Sequence, residues 1–90
     1  MEWIYEANRI YSKDSEGELL AEITFPAVDA STVDIDHTYV SKSLRGQGIA
    51  DRLMQAATTM IREKGLKARI SCPYAIKWMN EHPEQGDIRA

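Results

Sequence analysis

From Thr32 to Ser71 the chain reads as strand, glycine turn, amphipathic helix, glycine and strand. Thr32–Val40 sets Val33 and Ile35 on one face and Asp34 and Asp36 on the other, the period of a half-buried strand. Two glycines follow in Leu44-Arg45-Gly46-Gln47-Gly48-Ile49-Ala50. Ile49, Leu53, Ala56, Ala57, Met60 and Ile61 then share one helical face, with Arg52, Gln55, Thr59, Arg62 and Glu63 opposite. Gly65 stands where a helix-ending glycine belongs, and Leu66–Ser71 reads as a short strand. Two strands joined through a helix run parallel, and the right-handed crossover sets the second beside or near the first. The unit therefore predicts a helix over Gln47–Lys64 lying across a sheet, with Leu53 and Met60 buried.

The residues before this unit supply more sheet. Trp3–Lys13 is rich in aromatic and β-branched residues and reads as one strand, bulged around Ala7-Asn8. Asp14-Ser15-Glu16-Gly17 is a hairpin turn. Leu19, Ala21, Ile23 and Phe25 alternate with polar or outward positions until Pro26 ends the strand. Short connections make these three strands an antiparallel meander. After the unit, Pro73 suits the first turn of a second helix reaching about Asn80, and His82-Pro83-Glu84 breaks it before a short polar tail. The expected order is β-β-β-α-β-α: one domain over residues 1–90, an α/β (α+β) fold on a mixed, mainly antiparallel sheet.

The loop chemistry narrows the function. Glycines let the backbone turn so that successive N–H groups converge, and the helix behind adds the positive end of its dipole. Such a cradle suits a phosphate or diphosphate. A Rossmann dinucleotide site is disfavoured because Asp51 takes the place of the third glycine, and a Walker loop lacks its Gly-Lys-Ser/Thr ending. A net charge of −3 speaks against nucleic acid as the partner, since domains that bind it are clearly basic. No apolar run nears the roughly 20 residues of a membrane span, and Met1-Glu2-Trp3-Ile4-Tyr5 does not open a signal peptide. Cys72 is the only cysteine, which fits a reducing, cytoplasmic compartment. Cys72, His37 and His82 lack the spacing and the fourth ligand of a zinc set, so no metal is expected. An oligomer is not indicated.

The Arg-x-x-Gly-x-Ala pattern of Arg45, Gly48 and Ala50, between strand and helix, resembles the GNAT superfamily of acetyl-CoA-dependent N-acetyltransferases. A very short branch of that superfamily is similar over nearly the whole chain: His37-Thr38-Tyr39-Val40, Arg45-Gly46-Gln47-Gly48, Ser71-Cys72-Pro73-Tyr74 and His82-Pro83 follow its order. The resemblance implies the minimal acyl-CoA N-acyltransferase fold. It further implies that amides of Gln47, Gly48, Ile49 and Ala50 hold the diphosphate of CoA, with Gly46 shaping the turn and Lys42, Arg45 and Arg52 neutralising charge. It implies that the strands on either side of the helix splay, and that backbone near Thr38, Tyr39 and Val40 binds the pantetheine arm and polarises the thioester carbonyl. The chain lacks the length for the acceptor-site elements of full-size members.

Cys72 and His37 are the candidate catalytic side chains. Cys72 ends the last strand next to the helix that Pro73 opens, where the helix dipole favours a thiolate able to accept an acetyl group or act as a base. The competing reading is a buried, inert cysteine. His37 offers a general base at neutral pH, against a half-buried imidazole satisfied by a carbonyl or by Asp36. Tyr74 is read first as a packing residue, with proton donation to the CoA thiolate as the other option. The leading expectation is an N-acetyltransferase moving acetyl from acetyl-CoA to an amine, directly or through Cys72. The alternatives are a CoA or acyl-CoA binding module without turnover, and a partner-binding domain with no CoA affinity.

Overall fold

The meander forms as the alternation requires, with one more turn than expected. In the computed structural model, which describes residues 1–90, β2 (Arg9–Lys13) and β3 (Leu19–Thr24) pair antiparallel around the Asp14–Gly17 turn. The Asp14 carboxylate accepts the N–H groups of Glu16 and Glu18, both at 2.9 Å, and Gly17 supplies the left-handed residue at φ +85°. Ala21, Ile23 and Phe25 point into the core. Residues 3–13 are not one bulged strand: β1 (Ile4–Glu6) folds back on β2 across Ala7-Asn8. Asn8 causes the reversal, because its Nδ2 donates to the Phe25 carbonyl at 2.9 Å and its own carbonyl accepts the Phe25 N–H.

The expected strand Thr32–Val40 is also divided. β4 (Thr32–Ile35) pairs parallel with β6 (Lys67–Ile70), whereas β5 (His37–Val40) pairs antiparallel with β3. The two sheets have orders β1-β2-β3-β5 and β4-β6. Asp36 is the switch: its N–H and its carboxylate both bond Thr24, at 3.3 and 2.5 Å, which draws the chain over to β3. On the other side the Ile35 carbonyl accepts both Ser71 and Cys72 N–H groups at 3.1 Å, closing the parallel ladder. Beyond that point β5 and the chain after β6 part. The observed order is β-β-β-β-β-α-β-α, and the expected splay lies after Ile35 and Ile70.

α1 (Ile49–Glu63) packs on both sheets through Ile49, Leu53, Met54, Ala57, Thr58 and Ile61. Its stripe is rotated from the expected one: Met54 and Thr58 are fully buried, while Ala56 and Met60 are half-buried. Thr58 is tolerated because its hydroxyl donates to the Gln55 carbonyl at 3.1 Å. The helix ends in a Schellman motif, with Leu66 N–H on Ile61 O, Gly65 N–H on Arg62 O and Gly65 at φ +68°. α2 (Pro73–Glu81) starts from Cys72 as its N-cap. The tail is not free: Pro83–Ile88 forms 3-10 turns that bury Ile88, and Ala90 N–H reaches Ala68 O at 2.8 Å. No helix is long and apolar enough to cross a membrane.

Candidate functional site

The glycine loop takes the shape its residues demand. After a 3-10 turn over Lys42–Leu44, Gly46 sits at φ +83° and Gly48 at φ +75°. Gly48 is the N-cap of α1. A Cβ at either glycine would meet nothing within 4 Å, so the backbone angle, not a lack of room, calls for glycine. The consequence is a run of six N–H groups, Gly46 through Asp51, none of which has an acceptor within the protein. Gly46 and Gly48 to Asp51 line a cleft of about 170 Å³ together with Val40 of β5, Leu44, Arg45 and Tyr74 of α2.

The expected basic residues do not all converge. Arg45 lines the cleft, with its Nε donating to the Val40 carbonyl at 3.3 Å. Lys42 lies exposed in the turn before it and forms no ion pair. Arg52 points elsewhere, into a separate groove of about 610 Å³ between Tyr5 and the Met60 side of α1. Gln47 is exposed and lies outside the cleft lining, although its N–H is unpartnered like its neighbours'.

The free edge of β5 faces the gap. Ser41 N–H bonds Leu20 O, and the alternation of an antiparallel ladder then sends the main-chain groups of His37 and Tyr39 toward β3. Those of Thr38 and Val40 point to the other side, which the Arg45 contact with the Val40 carbonyl shows directly. Of the three expected backbone positions, Thr38 and Val40 therefore present groups to the gap and Tyr39 does not.

Cys72 stands across the gap from Thr38, with Sγ 3.5 Å from Thr38 Oγ1 and only 6% of the residue exposed. His37 is not brought together with it. Successive strand residues face opposite ways, and the His37 ring lies on the outer face with Nε2 3.2 Å from Glu22 Oε1. Glu22 is itself held by Arg9 Nε at 2.5 Å, so the outer face carries an Arg9–Glu22–His37 chain.

Tyr74, read first as a packing residue, lines the cleft, and so does Asp51, which the sequence pattern did not single out for the site. Tyr74 is the second residue of α2, which turns it into the cleft. Burial raises its hydroxyl above the ordinary tyrosine value, and the negative groups of Asp51, Glu81 and Cys72 add to the rise. The phenol is thus protonated throughout the neutral range. Asp51 lies in the first turn of α1 with Oδ1 2.8 Å from Trp78 Nε1.

A sheet opened between β5 and the start of α2, with an amide-lined cleft at the mouth of the opening, defines an acyl-CoA N-acyltransferase fold. The family model described as GCN5-related N-acetyl-transferase matches residues 9–88, and the chain belongs to that family. NATD1 from Xenopus tropicalis is 40% identical over 63 residues, and human NATD1 is 38% identical over the same length. These stretches cover 70% of this chain but 58% and 56% of those proteins, so the chain matches little more than half of each. A GCN5-like protein from Staphylococcus aureus, solved by NMR, superposes with a TM-score of 0.82 at 36% identity, over 99% of this chain and 87% of that one. Ard1 from Thermoplasma volcanium, at 18% identity and a TM-score of 0.64, shares the fold over 83% of this chain and 53% of its own.

Proposed function

We propose that the chain binds acetyl-CoA in the cleft between β5 and α2 and transfers the acetyl group to an amine. The observation that carries this reading is the run of six unpartnered N–H groups from Gly46 to Asp51 at the start of α1. Amides in that arrangement suit the diphosphate of CoA. Arg45 and Lys42 neutralise its charge, and Arg45 is already within the cleft. The free edge of β5 at Thr38 and Val40 suits the amide groups of the pantetheine arm, and an N–H there polarises a carbonyl without any reorganisation.

Acetyl-CoA supplies an activated acetyl thioester. The protein's part is to exclude water, orient the carbonyl and manage two protons. Tyr74, protonated at neutral pH and lining the cleft, is the donor suited to a departing thiolate. The amine has to be neutral to attack, so its proton leaves to water; His37, on the outer face beside Glu22, is not placed to take it. Transfer is direct or passes through Cys72, whose Sγ sits beside Thr38 at the inner end of the gap.

The test is to incubate the protein with acetyl-CoA and a panel of primary amines, following free CoA thiol and the intact mass of the protein. Amine-dependent thiol release is expected. A stable gain of one acetyl group before amine is added identifies the Cys72 route. Binding with no loss of acetyl groups reduces the protein to a CoA-binding module, and absence of binding removes the reading altogether.

A further inference from the structure

One carboxylate stands where an anion site would be better without it. Asp51 lines the cleft beside the Gly46–Asp51 amides, and its negative charge opposes a bound diphosphate. Its place in the first turn gains from the α1 dipole, but an uncharged N-terminal residue would serve the helix without opposing an anion.

The carboxylate has a second partner that such a residue would not hold as well. Trp78 of α2 is 2% exposed, and its indole N–H, which burial leaves in need of an acceptor, donates to Asp51 Oδ1 at 2.8 Å. The His82 ring stacks on the indole with centroids 3.9 Å apart and planes at 17°. His82 Nδ1 lies 2.7 Å from the Trp78 carbonyl and its Nε2 4.0 Å from the same Asp51 oxygen. The indole is therefore fixed by its N–H at the edge and by the imidazole over its face.

The geometry ties this cluster to the cleft. Trp78 follows Tyr74 by four residues, so the two side chains lie one above the other on a single face of α2. Tyr74 lines the cleft on one side and the first turn of α1 lines it on another. The Asp51–Trp78 bond joins those two walls directly.

We propose that Asp51 is a positioning residue that, through Trp78, clamps α2 to the first turn of α1 and so sets the spacing between the loop amides and the Tyr74 wall of the cleft. The role in CoA binding rests on the acetyl-CoA reading; the clamp itself does not. Releasing it loosens the first turn of α2, where Cys72 is the N-cap and is almost fully buried.

Cys72 is the only thiol of the chain, so its rate of modification by a maleimide reports the clamp without any ligand. Asp51→Ala and Trp78→Phe should each speed that reaction about tenfold, the scale expected from loss of one hydrogen bond to a charged group, and weaken CoA binding by a similar factor. Asp51→Asn keeps an acceptor oxygen and drops the charge; it should restore slow modification and bind CoA at least as tightly as the wild type. The double variant Asp51→Ala/Trp78→Phe should be no worse than the worse single one, since both remove the same bond. Ile10→Val thins the core at β2, which packs on β3 and α1 rather than on α2, and should leave the thiol slow. Unchanged single variants, an Asp51→Asn protein as fast as Asp51→Ala, or equal acceleration by Ile10→Val would overturn the clamp. The full modification pattern in a protein that does not bind CoA supports the clamp and overturns the acetyl-CoA reading instead.

Discussion

Thr38 Oγ1 and Cys72 Sγ lie 3.5 Å apart across the place where the two sheets part, one near the start of β5 and the other at the N-cap of α2. The thiol is packed at the inner end of the gap and not displayed at its mouth. Alkylation of Cys72 in the wild type should accordingly be slow and slower still with CoA present. Cys72→Ser should retain acetyl transfer if the amine attacks acetyl-CoA directly. Loss of transfer in Cys72→Ser, together with one acetyl group gained by the wild type alone, would establish the relay.

The charges around the cleft separate by position. Arg45 lines it and Arg52 does not. Arg45→Ala should weaken CoA binding about tenfold or less, the range of one partly exposed charge contact, and flatten the salt dependence. Arg52→Ala should change neither. Titrations of both variants at low and high ionic strength decide it; equal losses would return Arg52 to the site.

The two sides of the α1 stripe differ in depth. Leu53 is 1% exposed and Met60 is half-buried at the edge of the separate groove. Leu53→Ala should cost about 2–5 kcal/mol of stability and Met60→Ala clearly less. Urea unfolding of the two proteins measures this, and a Met60→Ala loss as large as that of Leu53→Ala would put the core on the other side of the helix.

Acid should weaken the closure of the tail. The Arg62 guanidinium, bonded to Asp87 at 2.7 and 2.9 Å, holds the Asp87 carboxyl below the usual carboxylate value, and Asp29 is lowered by bonds from Ser31. A depressed carboxylate contributes its stabilisation above the unfolded-state value, and that contribution is lost as the pH falls through the folded-state value. Asp87→Asn should therefore lower stability slightly at neutral pH and shrink its decline on acidification. An unchanged acid limb in thermal melts would assign the loss to other carboxylates. Both groups are exposed, so the effect is small and salt-sensitive.

What could be read beforehand follows the range of the interactions. The Asp14–Gly17 turn, the Gly65 helix end and the Cys72-Pro73 helix start are decided by residues adjacent in sequence, and they stand where expected. So does the pair of glycines before α1. The break at Asp36 was hidden because residues on both sides of it are extended, and only the distant Thr24 draws the chain to a new partner. The Ala7-Asn8 reversal depends in the same way on Phe25. Met54 and Thr58 replace Ala56 and Met60 in the core because the helix rests on two sheets at once, a geometry that periodicity does not contain. In the site, the loop amides were legible and the lateral placements were not. Arg52 faces another groove, His37 faces Glu22, and Asp51 meets Trp78 from 27 residues away.

The proposed site turns on the amides at the start of α1, and calorimetric titration of CoA tests them most directly. Gly48→Glu places a carboxylate among those amides, and Gly17→Glu imposes the same kind of left-handed strain, at φ +85° against +75°, in a hairpin outside the cleft. The wild type and Gly17→Glu should bind CoA alike, and Gly48→Glu should show no binding. Equal affinity in all three proteins would contradict the assignment of the loop to the diphosphate and, with it, the proposed site.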